Sequence, residues 1–443
     1  MRKYRKKAER PIETAIIRDI TADGRGVVDT TGKAVFVDAA ISGELVRYRR
    51  LRRRKNYDEA ELIEVIEASP DRTEPPCEYF TICGGCSLQH LKPEAQLRAK
   101  QSVLLQSFER IGGLQPIEVL PALSGQPLGY RRRARLGAKL VEKKGRVLVG
   151  FREKRKSYIA DMRSCETLEP RLAVLIEPLA ELIESLSINT QVPQIEMSLG
   201  DTAMALVFRV LVAPSDGDKA LLQAFGERTG ADIWLQTGGP NTLAPLDPAS
   251  PPPALWYALP DFGLRLEYGP LDFVQVNQDI NPRMISQALE LLGSLEGQRV
   301  LDLFCGIGNF SLPLATRSAS VIGVELDQGM VEKARVNALA NGIGNAEFFA
   351  ADLSCSDIVP EWWGGGFDVV VLDPPRAGAQ EVLAQVAATG AKQILYVSCH
   401  SGSLARDAGI LTRDYDFRLQ SAGAMDMFPQ TSHFEAMALF ERG

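Results

Sequence analysis

Three regions of this chain differ in their pattern of apolar and polar positions. In the first region, short apolar and polar runs alternate. Between residues 12 and 68, brief apolar runs are separated by turn residues such as Asp23-Gly24 and Thr31-Gly32. Alternation interrupted by glycine-containing turns predicts short strands joined by hairpins. Several such strands indicate a small OB-like β-barrel, a common platform for single-stranded nucleic acid, which we place at residues 1–70.

The second region, residues 71–270, has a mixed pattern. It opens at 71–92 with an irregular segment rich in Pro, Gly and Cys, and a helical pattern follows over 93–112. Pro at the start and Gly-Gly at the end of that pattern predict a helix. Such a helix can pack on the domain formed by residues 271–443. Strand and helix patterns then mix as far as 270, which indicates a central α/β domain.

The third region, residues 271–443, alternates regularly between strand and helix patterns. Its apolar strands are predicted at 300–304, 320–326, 367–375 and 393–399. This alternation predicts a Rossmann-like α/β domain with a mostly parallel, doubly wound sheet. Ligands of such sheets bind at the carboxyl ends of the strands, so we expect the chemistry there.

Composition excludes several classes of protein. The chain has 443 residues, of which 45% are hydrophobic and 24% charged, and these are ordinary globular values. No apolar run approaches the ~18 residues of a membrane helix, and no apolar segment follows the basic N-terminus as in a secretory signal. We therefore expect a cytoplasmic protein without membrane contact, and a monomer. Its seven cysteines are expected to be ligands, catalytic groups or core residues.

Charge is distributed unevenly along the chain. Residues 1–160 hold 33 Lys and Arg against 20 Asp and Glu, whereas residues 161–443 hold 17 against 36. The cations of the first part form three clusters, Arg47–Lys55, Arg131–Arg135 and Lys154–Lys156. One such cluster is typical of a solvated surface, but three in a basic third of the chain favour nucleic acid as the partner.

A glycine loop suggests a cofactor site in the third region. Asp302–Asn309 follows a predicted strand and precedes a predicted helix, and its two glycines let the backbone approach a ligand closely. Glu325 ends the next strand, where a carboxylate can accept from both ribose hydroxyls, and Asp352 ends the third. This order resembles the S-adenosylmethionine-dependent methyltransferases. An NAD enzyme and a purely structural turn are the alternatives, and the third glycine of the dinucleotide fingerprint is missing.

Candidate catalytic groups lie at the same edge of the predicted sheet. Asp373 ends the fourth strand and Cys399 ends the fifth. A cysteine there is either a packing residue or a nucleophile. Glu435 offers a carboxylate base near the C-terminus, and His433 is the second candidate for that role.

These segments together resemble a known family. LDLFCGIGNF, VLDPPR, YVSC and MFPQTSHFEAM, in this order, are similar to the RNA 5-methyluridine methyltransferases, as is the F-x-Q-x-N segment Phe273–Asn277. The predicted barrel resembles the TRAM domain of that family. Two positions depart from the family pattern. His400-Ser401 follows Cys399 where Asn-Pro is usual, and Gln430 stands where His is common.

The resemblance implies an enzyme that methylates C5 of uracil. Cys399 would add to C6 of the base, which makes C5 nucleophilic, and Glu435 would remove the C5 proton after transfer. The residues implied to line the S-adenosylmethionine site are Gln275, Phe304, Asn309, Glu325, Asp352 and Asp373. The implied partner is 23S ribosomal RNA, with the uracil flipped out of a single-stranded or loop region.

Four cysteines form a candidate metal site. Cys77, Cys83 and Cys86 are close in sequence and Cys165 is remote, a set that suits zinc or a 4Fe–4S cluster. The resemblance implies the cluster, held in the central domain. Cys305 and Cys355 are given no role.

Two other functions stay open from the sequence. One is a paralogue that methylates a different ribosomal uracil or a transfer RNA uracil. The other is a non-catalytic factor that binds ribosomal RNA during assembly, although Cys399 and Glu435 would then have no role.

Overall fold

The computed structural model describes residues 10–21, 23–28, 32–354, 363 and 366–443. Cys355 and the basic residues before position 10 lie outside the described residues. Within the described part of the chain, no helix is long and apolar enough to cross a membrane.

A six-stranded sheet forms the N-terminal part, and the prediction of a β-rich domain is confirmed. Its strands are Ile12–Ile16 (β1), Asp19–Ile20 (β2), Gly26–Val28 (β3), Ala34–Asp38 (β4), Leu45–Arg53 (β5) and Tyr57–Glu67 (β6). The order is β1-β5-β6-β4-β3-β2. Because only two residues separate β1 from β2, the two ends of the sheet lie close together. Alternating apolar side chains, among them Val35, Val37 and Val46, fill its interior.

The predicted helix at 93–112 is present. Pro93–Ser107 (α1) continues into a π-helical turn at Phe108–Gly112, and the strand Glu118–Val119 (β7) follows. Leu104 and Phe108 are fully buried in the core of the C-terminal sheet, so the helix packs there. β7 is the last strand of that same sheet, where it pairs with β21 (residues 417–425) in parallel.

A second sheet occupies the middle of the chain. The elements are Arg133–Val141 (β8), Arg146–Gly150 (β9), Pro170–Ala173 (α2), Ile176–Ser185 (α3), Gln194–Leu199 (β10), Met204–Arg209 (β11), Asp216–Thr229 (α4), Ala231–Gln236 (β12) and Leu243–Pro245 (β13). The order is β13-β12-β11-β10-β8-β9, and only β11 and β12 run parallel. Cys83 and Cys165 belong to the core of this unit.

The hairpin Leu255–Leu259 (β14) and Leu264–Tyr268 (β15) leads into the C-terminal unit. Its buried residues Leu255, Leu266 and Tyr268 pack in one core with Met284 and Val300.

An eight-stranded sheet forms the C-terminal unit, as the alternation predicts. The elements are Ile280–Leu292 (α5), Arg299–Leu303 (β16), Ser311–Ala315 (α6), Ser320–Glu325 (β17), Gln328–Ala340 (α7), Ala346–Ala350 (β18), Val369–Leu372 (β19), Leu383–Ala388 (α8), Gln393–Ser398 (β20), Ser401–Asp414 (α9), Phe417–Met425 (β21) and Glu435–Arg442 (β22). The order is β18-β17-β16-β19-β20-β22-β21-β7. β16 to β20 are parallel, while β22 is antiparallel to both of its neighbours. The carboxyl ends of five strands therefore meet at one edge.

The basic clusters are largely neutralised by ion pairs, which the sequence did not predict. In the first cluster, Arg47, Arg49 and Arg54 pair with glutamates of β6 at 3.0–3.4 Å, and Arg50 pairs with Glu13 and Asp58. In the second cluster, Arg132, Arg133 and Arg135 pair with Asp201 or Glu196. The cations of the first cluster that have no partner among the described residues are Arg52, Arg53 and Lys55, near the tip of the β5–β6 hairpin.

Candidate active site

The glycine loop after β16 bends sharply at the carboxyl end of the strand. Phe304, Gly306 and Gly308 all have positive φ values, of 67°, 55° and 92°. The left-handed conformation costs a non-glycine residue about 1–2 kcal/mol, so Phe304 needs support from its surroundings. Its N–H donates to the Val324 carbonyl at 2.8 Å. The loop is thereby held against β17, and the Gly306 N–H donates to the Glu325 carboxylate at 3.2 Å.

Asn309 is held by residues from outside the loop. Its side-chain oxygen accepts from the Tyr257 hydroxyl at 2.8 Å and from the Asn281 amide at 3.0 Å, and its own amide donates to Asn281 at 2.9 Å. Gln275 is half-buried between β15 and α5, two residues before the buried Asn277. The sequence offered no signal for Tyr257 and Asn281, because neither belongs to a recognised motif.

Several carboxylates converge near the glycine loop. The pKa of the Asp302 carboxyl is raised to about 7, mainly by burial; the Ser311 hydroxyl opposes this shift, and the charges of Asp373 and Glu325 add to it. Burial likewise raises the pKa of Asp373 to about 7. Asp352, after β18, accepts from the N–H and the hydroxyl of Ser354. The repulsion of Asp302 by Asp373 and Glu325 is relieved when a positively charged ligand binds.

The residues at this edge fit S-adenosylmethionine, which carries a positive sulfonium. Within the described chain, Asp302 Oδ1 is buried and has no hydrogen-bond partner. Acidic side chains follow β17, β18 and β19 in turn, and the left-handed glycine loop lies beside them. This arrangement supplies acceptors for a ligand that is both cationic and rich in hydroxyl and amino donors.

Cys399 and Glu435 lie close enough to influence each other. Cys399 is half-buried after β20, and Glu435 is only 5% exposed at the start of β22. Burial raises the pKa of the Cys399 thiol, and the charges of Glu435 and Asp373 add to this, whereas Arg376 lowers it. Burial also raises the pKa of Glu435 well above its usual value. The sheet thus brings together a thiol, two carboxyls and one guanidinium.

His433, the second candidate base, is exposed and lies beside Arg376. Its Nδ1 is 3.4 Å from the Arg376 guanidinium. Burial lowers the pKa of His433, and the nearby cations lower it further. The imidazole is therefore neutral near pH 7.

The segment after Cys399 starts a helix with an unusual cap. His400 is the N-cap of α9, and its Nδ1 accepts from the Ser403 N–H at 3.1 Å. The Ser398 hydroxyl accepts from the His400 N–H at 3.1 Å. These bonds satisfy a free N–H at the start of α9, so the backbone around Cys399 is held without the Asn-Pro of the family pattern.

The four cysteines of the candidate metal site lie near enough to influence one another, although Cys165 is remote in sequence. The pKa of the Cys86 thiol is raised to about 12, mainly by burial, with smaller contributions from the charges of Cys165, Cys83 and Cys77. The Cys165 sulfur is 3.3 Å from the Thr167 hydroxyl. In the part of the chain that is described, no three Cys, His, Asp or Glu side chains converge closely enough for one metal ion.

A buried ion pair joins helix α1 to the segment that follows β21. Lys100 of α1 donates to the Asp426 carboxylate at 2.6 Å and to the Phe428 carbonyl at 3.2 Å. Both side chains are almost completely buried. Burial lowers the pKa of Lys100 and raises that of Asp426, and each partner opposes the shift of the other.

Lys100→Ala is expected to lower the free energy of unfolding by about 3–5 kcal/mol, because it leaves the Asp426 charge buried without a partner. The loss should shrink as the pH falls, since protonation of Asp426 removes that charge. Denaturant unfolding at several pH values measures it. Arg98→Ala on the same helix breaks an exposed pair with Asp71 and should cost less than about 1 kcal/mol. Equal losses in the two variants would contradict the account.

Comparison with known proteins relates this chain to RNA methyltransferases. A family model described as tRNA (Uracil-5-)-methyltransferase matches residues 264–359 and 364–443. A 23S rRNA (uracil(1939)-C(5))-methyltransferase RlmD of Alkalilimnicola ehrlichii is 49% identical, over all of this chain and 99% of that protein. The enzyme of the same name from Stenotrophomonas maltophilia is 48% identical over 98% of this chain and 97% of its own length.

A solved structure is similar over the whole chain. The tRNA (uracil-54, C5)-methyltransferase of Pyrococcus abyssi, in complex with S-adenosyl-L-homocysteine, has a TM-score of 0.74 and 25% identity. The match covers 96% of this chain and 99% of that chain. The fold and the glycine loop thus define an S-adenosylmethionine-dependent methyltransferase of the α/β class. Within that class, the chain belongs to the uracil-5-methyltransferase family.

Proposed function

We propose that this enzyme transfers a methyl group from S-adenosylmethionine to C5 of one uracil in 23S ribosomal RNA, the counterpart of uracil 1939 in its relatives. The observation that carries the proposal is the convergence of Cys399, Asp373 and Glu435 at one edge of the sheet. The relatives that support the ribosomal substrate are 48–49% identical over nearly their whole length. The similar structure named for tRNA is 25% identical.

The order of steps follows from the weakness of C5 as a nucleophile. The Cys399 thiolate adds to C6 of the uracil, and the electron pair of the C5–C6 bond shifts towards C5 and the adjacent carbonyl. S-adenosylmethionine, when bound, supplies the methyl group that C5 takes up; the electron pair of the broken sulfur–methyl bond stays on the sulfur, and neutral S-adenosylhomocysteine is the leaving group. Glu435 then removes the proton from C5, the double bond re-forms, and the Cys399 thiolate is expelled.

Each residue of the edge has a task in this scheme. Burial raises the pKa of both Cys399 and Glu435, and a positively charged cofactor favours their ionised forms. Gln275, Phe304, Asn309, Glu325, Asp352 and Asp373 would hold the cofactor. Asp373 and Gln275 would also bind the uracil edge.

The proposal is tested with protein purified without oxygen. The protein is incubated with methyl-labelled S-adenosylmethionine and 23S rRNA that lacks the modification, and the RNA is digested to nucleosides. We expect labelled 5-methyluridine at one position. Label on transfer RNA alone would favour the tRNA paralogue, and no label on any RNA would favour an assembly factor without activity.

Recognition of the RNA needs contacts that the catalytic edge does not supply. We propose that the barrel and the central unit bind a single-stranded or loop region, from which the target uracil flips into the site. The unpaired cations near the β5–β6 hairpin tip, Arg52, Arg53 and Lys55, are the strongest candidates for phosphate contacts in the barrel. We also propose a monomer, and the ribosomal substrate supports a cytoplasmic location.

The salt dependence of RNA binding tests whether Arg52 and Arg53 contact phosphates. Each phosphate contact with single-stranded RNA contributes about 0.7 to the slope of log K against log salt concentration. Arg52→Ala/Arg53→Ala should therefore lower the slope by about 1.4. The control Arg47→Ala/Arg49→Ala removes two cations that Glu64 and Glu61 already neutralise, so its slope should change less. Equal changes would refute the distinction between paired and unpaired arginines.

We further propose that Cys77, Cys83, Cys86 and Cys165 bind a 4Fe–4S cluster. The four thiols share one mostly buried site, and that donor set suits iron–sulfur clusters. Zinc is the alternative for four thiolates, and the family resemblance favours the cluster. The proposed division is a barrel at 1–70, a central cluster-binding domain at 71–270 and a catalytic domain at 271–443. Helix α1, strand β7 and the β14–β15 hairpin of the central range also pack in the catalytic unit.

Cys83→Ser tests the cluster. We expect the variant to lose bound iron and the broad absorption near ~400 nm that such clusters give. Cys305→Ser is the control, because Cys305 is buried in the C-terminal unit and should leave iron content unchanged. A Cys83→Ser protein with full iron content, or a wild-type protein that holds zinc, would contradict the assignment.

A further inference from the structure

The loop between β21 and β22 leads directly into the proposed base, Glu435. We call residues 426–434 the strap. It is closed by the pairing of Met425 with Glu435, so the catalytic carboxylate is the first residue after it. The conformation of the strap therefore affects where the Glu435 carboxylate lies.

The strap contains a strained residue. Gln430 has a φ of 68° and is only 4% exposed. This conformation costs a glutamine about 1–2 kcal/mol, and such strain persists only where the surroundings enforce it. A glycine at this position would avoid the cost, so the glutamine side chain needs another explanation.

A reciprocal amide pair holds the strained residue. The Gln96 amide donates to the Gln430 side-chain oxygen at 2.9 Å, and the Gln430 N–H donates to the Gln96 side-chain oxygen at 2.9 Å. Gln96 is 1% exposed and lies on α1, far from the strap in sequence. Its amide also donates to the Leu88 and Leu91 carbonyls. One buried side chain therefore joins the strap to α1 and to the cysteine-rich segment.

The cysteine-rich segment contacts the strap directly as well. The N–H groups of Ser87 and Leu88 both donate to the Gln430 carbonyl at 3.0 Å. The Ser87 hydroxyl accepts from the Ser432 N–H at 2.9 Å. Ser87 follows Cys86 immediately, so a displacement of the cysteine site is transmitted to the strap.

We propose that Gln96, Gln430 and Ser87 are positioning residues for Glu435, and that through them the cysteine site and the proton-removal step form one rigid unit. This inference rests on the proposed function. None of the three side chains is assigned a contact with the uracil or the cofactor. They act through the strap, which ends at the base.

Misplacement of Glu435 changes the reaction kinetics in a way that loss of folding does not. Glu435 acts only after the methyl group is on C5, whereas Cys399 and the cofactor act before. A misplaced base therefore slows release of Cys399 more than it slows methyl transfer. Covalent protein–RNA adduct that carries the methyl group should then accumulate, and its amount per folded enzyme is measured on denaturing gels.

The test compares Gln96→Ala with Gln106→Ala on the same helix. Gln106 is half-buried, and its side-chain amide donates to the Ser102 hydroxyl within the helix. We expect Gln96→Ala to lower the single-turnover rate of product release roughly ten- to a hundredfold, as an error of about 1 Å in position does. Methylated adduct should rise, while KM and iron content stay near the wild-type values. Gln106→Ala should match the wild type in all of these.

A milder pair covers the case in which Gln96→Ala fails to fold. Ser87→Ala removes only the acceptor for the Ser432 N–H, and Ser87→Thr restores a hydroxyl. Adduct that rises in the first and falls back in the second supports the inference. Wild-type product release and no added adduct in Gln96→Ala and Ser87→Ala would overturn it. The proposed function fails separately, if the wild type itself makes no 5-methyluridine.

Discussion

Cys399→Ala is expected to reduce formation of 5-methyluridine by at least about 10⁴-fold, as loss of a covalent nucleophile does in other enzymes. Without addition to C6, C5 of uracil is too weak a nucleophile to accept the methyl group. The methyl acceptance of unmodified 23S rRNA, followed over hours, measures the remaining rate.

Binding of the cofactor separates this effect from damage to the site. Cys399 lies after β20, whereas the glycine loop follows β16, so the Kd for S-adenosylmethionine should be close to that of the wild type. A Cys399→Ala protein that still makes 5-methyluridine at a substantial rate would exclude covalent catalysis by this thiol.

Glu435→Gln is expected to block turnover after methyl transfer. The amide keeps the shape of the side chain and removes its basicity, and loss of a general base costs about 10²–10⁴-fold. The enzyme should methylate one equivalent of RNA and remain bound to it through Cys399. A methylated adduct that survives denaturation but disappears in Cys399→Ala/Glu435→Gln is the expected observation.

Glu441→Gln is the matched control for this variant. Glu441 lies on the same strand, β22, and accepts from Gln393 at 3.1 Å, far from the catalytic edge. It should turn over like the wild type. If Glu435→Gln also turned over normally, His433 would become the candidate base, and His433→Ala would decide between them.

The catalytic sheet could be predicted because its signals are local. Continuous apolar strands such as Val369–Leu372 alternate with helices, and that pattern alone fixes a parallel sheet and the edge where ligands bind. Cys399 and Asp373 could be placed at this edge because each directly follows a strand. The same reasoning does not reach Gln96 or Lys100, which act on the strap from more than three hundred residues away.

The ion pairing of the basic clusters was the feature that the sequence predicted least well. The cluster Arg47–Lys55 looks like a polyanion site in sequence, yet its partners Glu61 and Glu64 lie on the adjacent strand. Pairing depends on strand register, and β5 and β6 shift register three times. Sequence alone therefore cannot separate Arg52 and Arg53 from their paired neighbours.

Release of tritium from C5 tests the central claim most directly. Ribosomal RNA labelled with tritium at C5 of uracil is incubated with the enzyme and S-adenosylmethionine that carries a ¹⁴C-methyl group. Substitution at C5 through Cys399 and Glu435 predicts one tritium released into water for every methyl group transferred, and neither event in Cys399→Ala. Methyl transfer without tritium release would mean that the methyl group goes to another atom, and the account would be wrong.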